Sequence, residues 1–238
     1  MVRFPFYLAP LFLTISCASE GGGGTGGAGG GASNSDPIVE FAVSADSFDE
    51  AGSPMLVDVR LSFSNGAGAL SENLKVTIAD SELGSATAGQ DYTSIGIQEV
   101  FFSKDDPEGT LVSFAIFPID DLDYEGTETI QLEIQSVEGP QTAMIGAQGS
   151  MVASIIDDDQ PSIGFESGQS QVTEDGSDLL VWLQLDTTGV LTIPYTEKVV
   201  QQGGTAYLGS DYFFKEQFVT FQPGDTSGTK RPCILSSL

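Results

Sequence analysis

The sequence predicts an all-β protein built from antiparallel β-sandwiches, with one complete copy and one partial copy of the same unit. Three observations predict this fold. Apolar and polar residues alternate along short segments, a unit of about 120 residues occurs twice in tandem, and no window shows the 3.6-residue period of a helix. Glycine, aspartate, serine and proline separate the alternating segments, as expected for turns between strands.

The alternation is clearest at residues 55–61, 74–78 and 130–134, where every second residue is apolar, and it recurs at 179–185. Because successive side chains of a strand point to opposite faces, each segment should bury one face. About seven strands in about 120 residues is the size of an immunoglobulin-like sandwich, although the Cys–Trp–Cys signature of true immunoglobulin domains is absent.

The tandem repeat follows from identities at a nearly constant offset. Residues 37–41 align with 161–165 at an offset of 124, and the turn at 84–92 aligns with 204–212. After Thr229 the second copy enters nine residues without alternation. We therefore expect a complete domain at 37–159 and a partial domain at 160–238 with an aberrant C-terminal tail, produced by a frameshift or by fragmentation of a longer protein.

The N-terminus predicts export. Arg3 precedes an apolar stretch at 4–15 that is shorter than the roughly 20 residues needed to span a bilayer. The segment Leu-Thr-Ile-Ser-Cys at 13–17 resembles the lipobox of bacterial lipoproteins, which implies a signal peptide at 1–17 and lipidation of Cys17. Ordinary cleavage after Ala18 is the alternative.

A glycine-rich linker is predicted at 18–36. The lipoprotein resemblance implies a membrane partner reached through the N-terminal lipid anchor. It places the protein at the bacterial outer membrane or cell surface, with a secreted or periplasmic location as the alternative.

Composition excludes several kinds of function. The chain has 34 acidic and 8 basic residues, a net charge of −26, no histidine and two cysteines. Histidine-dependent nucleophile activation and a four-thiolate zinc site are therefore impossible. A surface this acidic repels phosphate groups, so no nucleic acid partner is expected. A cation is the expected ligand.

Acidic residues cluster where predicted strands end. Asp120 and Asp121 follow one strand, and the run 157–159 follows the last strand of the first copy. Strands that run in the same direction end at the same pole of a sandwich, so these clusters should meet. Ca²⁺ takes six to eight oxygen ligands in flexible geometry, whereas Mg²⁺ demands a tighter octahedron, so calcium is favoured.

These motifs together resemble the Calx-beta domain, a module of sodium–calcium exchangers that also occurs in tandem in surface proteins. The resemblance rests on Gly-Ser-Ala-Thr-Ala-Gly-Gln-Asp-Tyr at 84–92, Ile-Asp-Asp-Leu-Asp-Tyr-Glu at 119–125 and Ile-Ile-Asp-Asp-Asp at 155–159. It implies nine acidic calcium ligands, which are Glu50, Asp91, Asp120, Asp121, Glu125, Glu128, Asp157, Asp158 and Asp159. The second copy retains only Glu174 and Asp211, so it should not bind calcium in the same way.

The resulting expectation is a calcium-binding cell-surface module with a structural or adhesion role, in which Ca²⁺ orders the acidic loops and stiffens the junction between repeats. A protein or glycan ligand at the cell surface is a possible partner. No enzymatic activity is expected, because adjacent carboxylates without an aromatic sugar platform do not form a glycosidase cleft. The alternatives are an accessory module of a truncated secreted enzyme or glycan-binding protein, and a calcium sensor.

Overall fold

A computed structural model describes three ranges of the chain, 35–140, 142–173 and 177–237. The predicted signal peptide with Cys17, and the linker up to residue 34, lie outside them. Every regular element within the ranges is a β-strand, so the all-β prediction is confirmed. The same ranges contain no helix long and apolar enough to cross a membrane.

The first copy forms two facing sheets, and its strands are β1 (Pro37–Phe41), β2 (Ala45–Asp49), β3 (Met55–Phe63), β4 (Leu74–Asp80), β5 (Ile97–Phe102), β6 (Leu111–Ile116), β7 (Glu128–Glu138), β8 (Met144–Ile145) and β9 (Ser150–Ile156). One sheet has the order β6-β3-β1-β8 and the other β2-β9-β7-β4-β5. The alternating segments predicted to be strands lie within β3, β4 and β7, and their apolar residues face inward.

The pairing is mostly antiparallel, as predicted, with two parallel exceptions. β1 pairs in parallel with β8, and β2 pairs in parallel with β9. The chain breaks between β1 and β2 at residues 42–44, which lets it pass from the first sheet to the edge of the second. As a result β2 and β9 run side by side and end together, with Asp49 opposite Ile156.

The second copy forms smaller sheets, and its strands are β10 (Ser162–Phe165), β11 (Leu179–Asp186), β12 (Tyr195–Val199), β13 (Tyr212–Phe213), β14 (Gln217–Phe221) and β15 (Lys230–Ser237). The orders are β10-β11-β15-β13 and β12-β14. The segment after Thr229, whose sequence shows no alternation, nevertheless belongs to a sheet. It forms β15, paired along β11, because backbone hydrogen bonds hold it without an alternating sequence.

The tail takes the place that β6 has in the first copy. Val57 pairs with Phe114, and the equivalent Val181 pairs with Cys233. Cys233 is accordingly buried, 2% exposed, in the small core of the second copy. Within the described ranges 24 buried residues form the first core and 6 form the second. The first sandwich is therefore closed, while the second is open on one side.

Candidate metal site

The candidate site lies at the pole of the first sandwich where β2 and β9 end and β7 begins. The register of the sheet brings this about: Glu128, the first residue of β7, pairs with Ile155, and Asp49 pairs with Ile156. Glu50 follows β2 directly and is buried, 4% exposed. Three segments separate in sequence thus present carboxylates at one place.

A tight turn brings Asp91 to the same pole. Gly89 adopts a φ of +88°, which an L-residue rarely tolerates, and this lets the backbone reverse before Asp91. The Asp91 side chain accepts a hydrogen bond from the Thr87 amide. The backbone carbonyl of Asp91 accepts a second one from the Ile119 amide, at 3.0 Å. The turn is therefore held against the loop that follows β6, which carries Asp120 and the acids after it.

Asp157 organises the neighbouring loops. Its Oδ2 accepts hydrogen bonds from the amides of Glu125 at 2.8 Å and Gly126 at 2.6 Å, while its Oδ1 accepts one from Asp159 N at 2.7 Å. Glu50 acts similarly, because its Oε1 accepts a hydrogen bond from Asp121 N at 3.3 Å. These bonds fix the backbone of loops that would otherwise carry only mutually repelling side chains.

Carboxylate oxygens converge in three groups. Within each group the oxygens lie within 4.8 Å of one another, and the members are Glu50, Asp121 and Glu125; Asp91, Glu125 and Glu128; and Asp120, Asp158 and Asp159. Glu125 belongs to two groups and so connects them. The structure thus brings eight of the nine predicted residues into possible metal-binding groups, while Asp157 supports the loops around them.

The crowding raises the pKa values of three glutamates. Burial, followed by the charge of Asp121, raises the pKa of Glu50 to about 7. Burial and the charge of Asp91 raise the pKa of Glu125 to about 7. Burial and a hydrogen bond with Asp91 raise the pKa of Glu128 to about 8. At neutral pH the cluster therefore holds its full negative charge only at a cost in free energy.

The described residues provide no cation to offset this charge. Six ion pairs occur among them, and none involves any of the nine acids. Glu128 Oε2 is buried and has no hydrogen-bond partner there. The site therefore offers only carboxylate ligands, and one buried oxygen faces other negative charges. A hard divalent cation fits these ligands, because it would bind that oxygen and replace the repulsion among the carboxylates with attraction to the ion.

The second copy repeats the turn without the cluster. Asp211 Oδ2 accepts a hydrogen bond from Tyr207 N at 2.8 Å, as Asp91 does from Thr87. Among the described residues, no group of converging acids includes Asp211. Glu174, the other acid predicted to be retained, lies outside them.

The loop between β6 and β7, which we call the acidic loop, contacts the second copy through residues that the sequence did not single out. Asp123, which is not among the predicted ligands, accepts a hydrogen bond from Val190 N at 2.8 Å through its Oδ1. Asp159 Oδ1 accepts one from Thr188 Oγ1 at 2.8 Å. Tyr124 forms a backbone bridge with Leu191. No sequence signal identifies these partners, because they lie more than 60 residues apart in sequence, except between Asp159 and Thr188.

Glycine at the junction permits this close approach. A Cβ on Gly189 would lie 1.9 Å from the carbonyl oxygen of Leu122, so only glycine fits without displacing the backbone. The ring of Tyr124 packs edge-on against Tyr195, with centroids 5.6 Å apart. The acidic loop therefore has two sides, one facing the candidate metal site and one contacting the second copy.

Solved structures that the chain matches include two of Calx. The chain is 19% identical to an apo-form Calx CBD1 domain, covering 52% of this chain and 99% of that one, with a TM-score of 0.44. It is 18% identical to CBD12 from CALX1.2, covering 84% and 74%, with a TM-score of 0.44. A two-domain protein of unknown function from Bacteroides fragilis is 8% identical over 85% and 84%, with a TM-score of 0.35. No curated protein sequence matches the chain significantly.

Family assignment rests on the sequence itself. A model of the Calx-beta domain matches residues 33–159 and again 156–231, which together make up more than half of the chain. The two matches correspond to the complete and the open sandwich described above. The resemblance inferred from the motifs is thereby confirmed, and the chain belongs to the Calx-beta domain family, with two consecutive copies of the domain.

Proposed function

We propose that this protein is a calcium-binding module whose ion site lies at the acidic pole of the first repeat. The observation that carries the proposal is the convergence of eight carboxylates in three groups, with none of these acids in an ion pair within the described part of the chain. Carboxylate oxygens in flexible loops are the ligands that Ca²⁺ prefers. Glu50, Asp91, Asp121, Glu125 and Glu128 would hold one part of the site, and Asp120, Asp158 and Asp159 another.

The proposed role is structural, because the same loop serves the ion site and the junction. Asp123 and Asp159 contact Val190 and Thr188 of the second repeat, while Asp121 and Glu125 belong to the acidic groups. An ion that removes the repulsion among these carboxylates would order the loop and keep its outer side in place. Calcium would then stiffen the connection between repeats, as suits a surface stalk or adhesion module.

The repeat itself offers a matched pair of variants for testing the ion site. Asp91→Asn and Asp211→Asn disturb equivalent turn hydrogen bonds, but within the residues that the structure describes Asp91 belongs to an acidic group and Asp211 does not. Calorimetric titration should show that the wild-type chain binds Ca²⁺. The calcium affinity of D91N should be lower by about tenfold or more, and that of D211N should be unchanged. Equal effects of the two variants would contradict the proposed site.

The affinity decides between a structural module and a sensor. Dissociation constants of about 10⁻⁴–10⁻³ M are typical of extracellular modules, whereas about 10⁻⁷–10⁻⁵ M is typical of sensors. Limited proteolysis with and without EGTA then tests the junction. Calcium should slow cleavage between residues 120 and 126. A calcium-independent cleavage pattern would refute the structural role even if the ion binds.

We also propose that the module is exported and held at the membrane by a lipid on Cys17, as the lipobox-like sequence at 13–17 indicates. When the bacterial host is grown with a radioactive fatty acid, the wild-type protein should become labelled and a Cys17→Ser variant should not. Labelled C17S protein, or release of the unmodified protein into the medium, would contradict the anchor.

A further inference from the structure

Tyr92 directly follows Asp91 at the end of the turn that brings this carboxylate to the acidic pole. Its side chain belongs to the first core and is 1% exposed. Its hydroxyl reaches the end of β4 and donates a hydrogen bond to Asp80 Oδ2. Among the described residues Asp80 belongs to none of the three acidic groups. The hydrogen bond therefore connects the turn to an acid that is not a candidate ligand.

The backbone of Tyr92 closes the turn. Its carbonyl accepts a hydrogen bond from Gly89 N at 2.7 Å. Tyr92 also forms backbone bridges with Ala88, on the other side of the turn, and with Pro118, which follows β6 and precedes the acids of the acidic loop. A shift of Tyr92 would therefore move Asp91 and disturb the start of the acidic loop.

Asp80 holds the other end of the link, in the sheet that carries Glu128. It is the last residue of β4, which pairs with β7, and Glu128 is the first residue of β7. Asp80 Oδ1 accepts a hydrogen bond from Glu82 N at 2.9 Å, which fixes the orientation of the carboxylate. The hydrogen bond from Tyr92 thus attaches the Asp91 turn to the same pair of strands that places Glu128.

This attachment matters because like charges crowd the acidic group. Asp91, Glu125 and Glu128 hold carboxylate oxygens within 4.8 Å of one another. Without an ion, the repulsion among these charges favours movement of the turn away from β7. A hydrogen bond that a hydroxyl donates to a carboxylate is stronger than one between neutral groups. The bond between Tyr92 and Asp80 opposes the movement and keeps Asp91 close to the two glutamates.

We propose that Tyr92 is a positioning residue for the calcium site. It is not a ligand, because its hydroxyl is bonded to Asp80. It acts through Asp91, which it holds near Glu125 and Glu128 before the ion binds. Ligands that are already in place lose less conformational freedom on binding, so the calcium affinity is higher. Outer partners of metal-binding carboxylates typically act in this way. The proposal rests on the calcium site proposed above.

The second repeat supplies a matched control. Tyr212 follows Asp211 in the equivalent turn. Because the pairing of β12 with β14 repeats that of β4 with β5, Asp80 corresponds to Gln201, which carries no charge. Within the part of the chain that the structure describes, Asp211 belongs to no acidic group. Loss of the Tyr212 hydroxyl should therefore leave calcium binding unchanged.

Calorimetric titration of the full chain with Ca²⁺ tests the proposal. Tyr92→Phe removes only the hydroxyl and should lower the calcium affinity by about tenfold without changing the number of ions bound. Tyr212→Phe is the control and should bind like the wild type. Circular dichroism in EDTA establishes that each variant is folded.

Asp80→Asn tests the same hydrogen bond from its other end and leaves the tyrosine ring in the core, so it provides the test by itself if Y92F does not fold. It should also lower the calcium affinity. Glu82→Gln removes a neighbouring exposed charge that does not contact Tyr92, so it controls for the change in net charge and should have a smaller effect. Equal effects of D80N and E82Q would overturn the proposal.

A double-variant cycle shows whether the hydroxyl acts through Asp91. In a chain that already carries D91N, Y92F should cause no further loss of affinity. A tenfold loss in both backgrounds would overturn the proposal, because Tyr92 would then act elsewhere. Wild-type affinity in Y92F, together with weakened binding in D91N, would overturn this proposal alone. A wild-type chain that binds no Ca²⁺ would overturn both this proposal and the calcium site on which it rests.

Discussion

Replacing Glu128 with glutamine tests whether the carboxylates at the acidic pole repel one another when no calcium is bound. Glu128 lies in one group with Asp91 and Glu125, with carboxylate oxygens within 4.8 Å, and its pKa is raised to about 8. A raised folded-state pKa means that protonated Glu128 stabilises the fold at low pH and that this contribution is lost as the pH rises through about 8. Neutralising the side chain should therefore stabilise the calcium-free protein at high pH.

The size of the effect follows from the geometry. Two unit charges at this separation repel by about 3.5 kcal/mol at an effective dielectric constant of about 20. Glu128 is partly exposed, so solvent screening and side-chain relaxation reduce the net value. We expect E128Q to raise the free energy of unfolding by about 1–2 kcal/mol at pH 9. At pH 5 the effect should be almost nothing, because Glu128 in the folded protein is then protonated and as neutral as the glutamine that replaces it.

The assay is urea unfolding in EDTA at both pH values, with Glu133→Gln as the control. Glu133 lies on the same strand but is exposed and belongs to no acidic group. With saturating calcium the order should reverse, because E128Q then lacks a ligand. A calcium-free E128Q protein that is less stable than the unmodified chain at pH 9 would refute the idea that the pole is self-repelling.

Three further predictions concern proton release, the junction and the core. Calcium binding should release protons between pH 5 and 8, because the pKa values of Glu50 and Glu125 are raised to about 7. The calcium affinity should therefore fall as the pH falls. Calorimetric titration in buffers of different ionisation enthalpy measures the number of protons released. Gly189→Ala should loosen the junction and speed proteolysis there without changing calcium stoichiometry, because its Cβ would clash with a backbone carbonyl; Gly164→Ala, where nothing lies within 4 Å, is the control. Leu132→Ala, at a fully buried site of β7, should cost about 2–5 kcal/mol in urea unfolding, and a value below about 1 kcal/mol would contradict its place in a closed core.

Much of the fold could be predicted from local patterns. The alternation at 55–61 predicted β3 correctly, because a period of two directly reports which side chains face the core. The strand at 230–237 lacks that period and could not be predicted in this way, because backbone pairing with β11 holds it. The parallel pairing of β2 with β9 also has no local signal, because it depends on where the chain crosses between sheets.

The candidate site was predictable as a set of acids but not as an arrangement. Strand ends at 120–121 and 157–159 predicted a shared pole, and the structure places both there. It was the tertiary structure that gave Asp157 a supporting position, made Glu125 common to two groups and left Glu128 Oε2 buried without a partner. Such distinctions depend on loop closure and on distances of a few ångströms, which sequence spacing does not specify.

By itself, then, the sequence determined the class of fold, the tandem repeat and the acidic character of one pole, because alternation, repetition and charge are properties of the chain. Only the tertiary structure decided how the repeats meet, through Asp123 and Gly189, and that the segment after Thr229 pairs along β11. These features arise from contacts between segments far apart in the chain. Their free energies depend on proximity and burial, which exist only once the sheets have formed.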